Sequence, residues 1–340
     1  MGCFMQKKIR KNIFTVAKLI TGISFFLLLV YLVGPEKILS ATSDFNFFML
    51  FPAIFLYVSV LLLNTLNLKI LLNPLKKIGF WHLFAQQYKS WSTGLFVPGK
   101  IGEFSLSYFL RKQIAVGSTA AIVLIDKLVS LLVLSFFAII GFVLFFNWNI
   151  ALQVSALLAF GFSIFILLFS RKGLRKRLSH AILGERKTIL SGFSSTFFEY
   201  LRKKKRLVAL NLALTLVRTA LQSLIVFSVF MGFGLEVNFL FLVFVLSSIT
   251  IISMIPISIN GLGLREGSFV ILCSKISIPL EISASAIIIL TLLKYSIAAL
   301  GLNLAIYEMG TKNFIYFLKK PSTSEKKTVG QKKQRTRRID

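Results

Sequence analysis

Six uninterrupted apolar runs divide the chain, at residues 12–33, 46–68, 115–146, 150–170, 207–232 and 281–307. Each reaches the ~20 residues an α-helix needs to cross the hydrocarbon core of a bilayer, so the pattern predicts six spanning helices. The third run exceeds that need and implies tilt or a protruding end. Two more apolar stretches are interrupted. One covers 83–110 and breaks between Val97 and Glu103 at Pro98, Gly99 and Gly102. The other covers 239–278 and breaks between Ile255 and Gly267 at Pro256, Gly261 and Gly263. Proline removes a helix donor and glycine frees the backbone, so both breaks end a helix. Both stretches are expected to be re-entrant hairpins, which a membrane tolerates only where protein lines them.

Taken in order, the first half is span, span, hairpin, span, and the second half is the same series entered from the other side. The predicted fold class is therefore all-α, a polytopic membrane bundle of about six spans and two broken-helix hairpins arranged as an inverted repeat. The repeat halves are about 12–146 and 150–307 within one transmembrane domain, 1–310, and a basic cytoplasmic tail, 311–340, is expected to be disordered. Inverted repeats with paired broken helices are the pattern of alternating-access transporters, whose site lies between the breaks.

Composition supports the membrane assignment. Hydrophobic residues make up 56% of 340, charged residues 15%, and mean hydropathy is +0.81. An ordinary soluble domain is roughly 25% charged, and one of this size cannot hide so much apolar surface. The net charge of +28 asks where 40 Lys and Arg sit. With the N-terminus inside, all but eight fall in cytoplasmic segments. Lys37 and Lys275 are in outer loops, and Lys89, Lys100, Lys127, Arg218, Arg265 and Lys294 are within membrane segments. That asymmetry is what the positive-inside rule demands. It predicts a multi-pass protein of the cell membrane with both termini cytoplasmic. The basic block 202–206 and the tail then read as contacts for anionic inner-leaflet lipids, not for nucleic acid.

A charge at the bilayer centre costs about 2.5–3.5 kcal/mol on insertion scales and is functional by default. The residues so placed are Glu103, Asp126, Lys127, Arg218, Arg265, Glu266 and Lys294, with Lys100 at the first break. They are the candidate substrate-binding set, and Pro98, Gly99, Gly102, Pro256, Gly261 and Gly263 are the candidate hinges. The surplus of positive charge suits an anionic group such as phosphate, held by Arg forks and helix N-termini. The competing role is internal ion pairing, Glu103 or Glu266 with Arg218 or Arg265. Asn64, Asn67 and Gln222, polar inside spans, are expected to hydrogen-bond between helices.

Soluble chemistry finds no footing. Residues 94–101 fit Gly-x4-Gly-Lys but place Ile101 where Ser or Thr would hold Mg²⁺, and Gly261, Gly263 and Gly267 miss the dinucleotide fingerprint by one position. Two histidines and two distant cysteines assemble neither a metal site nor a catalytic triad. Neither enzymatic activity nor a metal or cofactor is expected.

The segment Val97-Pro98-Gly99-Lys100-Ile101-Gly102-Glu103, followed by Tyr108-Phe109-Leu110-Arg111, resembles the first signature of the lysylphosphatidylglycerol synthase transmembrane-region family, roughly P-x-x-x-G-E and a Y-x-L-R-like helix end. Asp126-Lys127 stands where that family carries an acidic–basic pair. Pro256-Ile257-Ser258 with Gly261-Leu262-Gly263-Leu264-Arg265-Glu266-Gly267 is similar to the second signature, P-x-S-x-x-G-x-G-x-R-E. The resemblance spans about residues 12–310 and implies movement of a charged-head-group lipid between leaflets. The expected partner is a phospholipid, aminoacylated or otherwise, or a polyprenyl-phosphate-linked lipid. Residues 311–340 form only a basic tail, so the synthase activity that the family name suggests is not expected of this chain. Two other readings fit the same residues: a secondary transporter of a small soluble anion, or a non-transporting scaffold for an envelope lipid or glycan enzyme.

Overall fold

A computed structural model of the chain describes residues 21–96, 104–170, 192–255, 257–258 and 261–309. Every regular element among them is a helix. In chain order these are α1 (Thr21–Val33), α2 (Pro35–Ser43), a short 3-10 turn (Phe47–Met49), α3 (Leu50–Leu72), α4 (Phe80–Phe96), α5 (Ser105–Phe109), α6 (Val116–Phe145) and α7 (Trp148–Ser170). They continue with α8 (Phe193–Lys203), α9 (Lys205–Gly232), α10 (Phe239–Ile252), α11 (Leu264–Ser274) and α12 (Leu280–Met309).

Among the fully described residues, four helices are long and apolar enough to cross a membrane: Phe47–Leu72, Val116–Phe145, Lys205–Gly232 and Leu280–Glu308. They coincide with four of the six expected spans to within a few residues. The 12–33 run begins outside the described residues, and its described part, α1, turns by 77° into α2. Gly34 makes that turn at φ +96°, and Pro35 opens α2 where a missing N–H costs nothing. The 150–170 run forms α7, a helix of 23 residues.

Both interrupted stretches are helix pairs. α4 and α5 flank the first break, of which residues 97–103, including Pro98, Gly99, Lys100, Gly102 and Glu103, lie outside the described residues. α10 and α11 flank the second. There Pro256 is outside the described residues, and Gly261 and Gly263 both take φ +77°. Gly263 also has no room for a side chain: a Cβ there would come within 2.5 Å of Gly22 O and of Phe25 Cβ, so α1 rests directly on this break.

Packing exchanges the hairpins between halves. α10 packs along α6, and α4 packs along α12, while α3 and α9 pack on each other at the centre. The apolar side chains form a core at each end. One, with Phe45, Val60, Val229, Phe269 and Ile287, surrounds the second hairpin. The other, with Leu71, Leu83, Leu106, Ile122 and Tyr200, surrounds the first. α8 closes this second core. Its Phe197 and Tyr200 are buried, and the Tyr200 hydroxyl donates to Leu71 O at the end of α3. Burial pushes that hydroxyl up to about 12, with Glu199 adding to the effect.

Candidate functional site

Between the two apolar cores α3, α6 and α9 turn polar. Asn64 and Asn67 of α3, Asp126 and Ser130 of α6, and Asn211, Thr215 and Arg218 of α9 share one buried layer. Each set repeats at helical spacing, so each forms a single stripe. Arg218, 8% exposed, donates through Nη1 to Asn64 Oδ1 at 2.6 Å and through Nη2 to Ser130 Oγ at 2.6 Å. Its Nη1 lies 3.8 Å from Asp126 Oδ2, and Asp126 is 1% exposed. Asn211 Nδ2 donates to Asp126 Oδ1 at 3.1 Å and to Asn67 Oδ1 at 2.6 Å, and Asn67 Nδ2 donates to Thr215 Oγ1 at 3.0 Å. Burying two charges costs several kcal/mol each, which this geometry offsets by satisfying both with hydrogen bonds. Ion pairing inside the bundle thus exists, and among the described residues it joins Arg218 to Asp126, while Glu266 is bonded elsewhere and Glu103 lies outside the described residues. Asn64 and Asn67 bond between helices as their placement implied, whereas Gln222 is exposed.

A second group gathers at the second hairpin. Glu266 is buried and accepts from Gly263 N at 2.6 Å, closing the first turn of α11. A carboxylate three residues into a helix and bonded back to its start is a cap, and it also suits the positive end of the helix dipole. Arg265, beside it, is half-buried. It is near enough to Tyr57 of α3 and Tyr295 of α12 to interact electrostatically with both. Lys294 is half-buried, with Nζ 5.6 Å from the Tyr295 ring centroid. Lys127 is half-buried on α6 next to Asp126.

The predicted residues therefore fall into two places. Asp126 and Arg218 lie in the central layer, and Arg265, Glu266 and the glycines Gly261 and Gly263 lie at the second break. Glu103 and the remaining hinge candidates are outside the described residues. Sequence reasoning missed Ser130, Asn211 and Thr215 as partners of the buried charges. The signal was present: Asn211, Thr215 and Arg218 stand at i, i+4 and i+7 of one apolar helix. It also missed the ion pair of the buried Lys89 with Glu308, which ties α4 to the end of α12. Among the described residues no group of three or more His, Cys, Asp or Glu side chains comes together, so they assemble no metal-ligand set.

Comparison with known proteins fits this geometry. A UPF0104 membrane protein of Methanothermobacter thermautotrophicus is 24% identical over 312 residues, covering 83% of this chain and 92% of its own. The model of the lysylphosphatidylglycerol synthase TM region matches residues 15–301, a stretch that holds both hairpins and the central polar layer. The chain belongs to that family, and is thereby a multi-pass membrane protein of lipid metabolism or transport.

Proposed function

We propose that the protein transfers a lipid with a phosphate-bearing head group between membrane leaflets, without making or breaking a bond in it. The observation that carries this reading is the state of Arg265. Among the described residues Arg218 is consumed by Asn64, Ser130 and Asp126, and Glu266 by the α11 cap. Arg265 remains half-exposed at a helix start, between tyrosines of two spanning helices. A guanidinium at the positive end of a helix, in a low-dielectric setting, is a phosphate ligand of the strongest kind. The exchanged packing of hairpins and long helices supplies two halves that can rock about the α3–α9 contact, which would present Arg265 to each leaflet in turn. The acyl or prenyl chains would stay in the bilayer. The charge distribution favours the cell membrane, with both termini cytoplasmic and the basic segments on anionic inner-leaflet lipid.

The test is a leaflet-resolved assay. The full chain is placed in vesicles of phosphatidylethanolamine and phosphatidylglycerol carrying a trace of tail-fluorescent phosphatidylglycerol, and dithionite reports the outer-leaflet fraction over time. Wild type should move the probe well above protein-free vesicles, and Arg265→Ala should lower the rate at least tenfold. Equal rates for wild type and Arg265→Ala would overturn the assignment of Arg265, and a wild-type rate equal to that of empty vesicles would overturn the function.

A further inference from the structure

On α4, Trp81, Phe84, Tyr88 and Trp91 form a ladder of rings. Centroids are 6.1 Å apart from Trp81 to Phe84, 6.1 Å from Phe84 to Tyr88 and 6.2 Å from Tyr88 to Trp91. The ladder then crosses to α3, where Tyr57 lies 6.0 Å from Trp91 and is within electrostatic reach of Arg265. At the other end Lys69 Nζ sits 5.5 Å from the Phe80 ring, which in turn touches Trp81 at 5.3 Å. Trp81 is exposed, and the remaining ladder rings are half-buried. A cation therefore stands at each end of a partly open stripe. Ten residues of helix separate Trp81 from Trp91, a rise of about 15 Å, or about half the hydrocarbon core.

The matching seam of the other half is different. Where α10 packs along α6, the ring contacts are Phe145 with Phe241 at 6.4 Å and Phe137 with Phe244 at 6.3 Å. Phenylalanine offers only hydrocarbon. Tyrosine and tryptophan add a donor at the ring edge and sit comfortably where one end is apolar and the other wet. The two seams are equivalent in packing but unequal in chemistry.

We propose that the phosphate-bearing head group of the transported lipid travels along this α4 stripe between Lys69 and Arg265, past Trp81, Tyr88, Trp91 and Tyr57, and that the α6–α10 seam carries none of it. This rests on the transport reading and assigns its route. The Tyr88 hydroxyl donates to Ile297 O of α12, so Tyr88 contributes its ring; the rings displace water from the head group, the indole donors bond to its oxygens, and the terminal cations pair with its phosphate.

Trp91 can report the visit directly. Trp81→Phe with Trp148→Phe leaves it as the sole indole, since the chain has 3 Trp. The variant is reconstituted in vesicles of phosphatidylglycerol and phosphatidylcholine, the latter bearing a nitroxide on its head group or midway along an acyl chain. Head-group label should quench Trp91 to within twofold of the acyl label. A companion, Trp81→Phe, Trp91→Phe, Trp148→Phe and Phe244→Trp, should be quenched at least fivefold more by the acyl label. In the transport assay Tyr88→Leu should slow transfer at least fivefold and Phe244→Leu less than twofold. If the chain moves lipid but Trp91 answers only to the acyl label, the track is wrong and the transport reading stands. If head-group label quenches Trp91 in a chain that moves no lipid, transport falls and the stripe is a static head-group site. Equal head-group quenching at both seams also overturns the one-sided route.

Discussion

Ser248 of α10 fills the space beside Gly141 of α6: a Cβ built on the glycine would lie 2.5 Å from the serine Oγ. The other half repeats the arrangement, with Ser92 of α4 against Gly301 of α12. In each case a hairpin arm crosses the last long helix of the opposite half at a glycine facing a serine. Small residues let membrane helices approach closely where packing, not the hydrophobic effect, drives association.

Gly141→Ala should therefore cost about 1–3 kcal/mol, the usual penalty of overpacking, read as a lower melting temperature of the purified protein in detergent. Ser248→Ala in the same chain should restore part of the loss, because it removes the atom the new methyl meets. Additive losses would show that the two residues do not share this contact.

The central polar layer predicts a sharp asymmetry. Arg218→Leu leaves Asp126 buried without its cation and should cost about 3–5 kcal/mol, lowering the yield of monodisperse protein. Arg218→Leu combined with Asp126→Asn removes both charges and should cost less than Arg218→Leu alone. A double variant worse than either single one would mean that the pair is not coupled.

Glu266→Ala removes the bond to Gly263 N and should cost about 0.5–2 kcal/mol at the start of α11, by analogy with other caps. Hydrogen exchange should quicken at residues 264–268 and remain unchanged in α3. Glu266→Gln can still accept from Gly263 N and should keep most of the protection.

Tyr200 carries the pH-sensitive contact. Its hydroxyl is held neutral up to about 12, above the ordinary tyrosine value of 10.0. The native state thus prefers the protonated form. The stabilisation is complete below pH 10 and is lost as pH rises from there through about 12. Alkaline unfolding over that window should flatten in Tyr200→Phe, which also loses the bond to Leu71 O, worth about 0.5–1.5 kcal/mol. An unchanged alkaline profile would contradict the burial of this hydroxyl.

Much of this architecture was legible before the structure. Apolar length located the four long helices, because lipid imposes a minimum length on a span. Proline and glycine marked the interruption between α10 and α11, because neither residue continues a helix. Charge in apolar runs singled out Asp126, Arg218, Arg265 and Glu266, because such burial is costly. What a list of costly residues does not contain is who meets whom. Arg218 finds Asn64 from 154 positions away, and Asn211 finds Asp126 from 85. Those pairings depend on how α3, α6 and α9 rotate about their axes, which is set by packing over whole helices. The bend at Gly34-Pro35 was missed for a simpler reason: it falls just past the end of an apolar run, where composition alone shows only a span ending.

A substrate held by its head group, with its tails in the membrane, should need those tails to cross. The most direct measurement compares tail-fluorescent phosphatidylglycerol with radiolabelled glycerophosphoglycerol, the same head group without acyl chains, in one preparation of proteoliposomes. The lipid should pass between leaflets, and the soluble compound should not be taken up above protein-free vesicles. Uptake of the deacylated compound with the lipid left in place would contradict this.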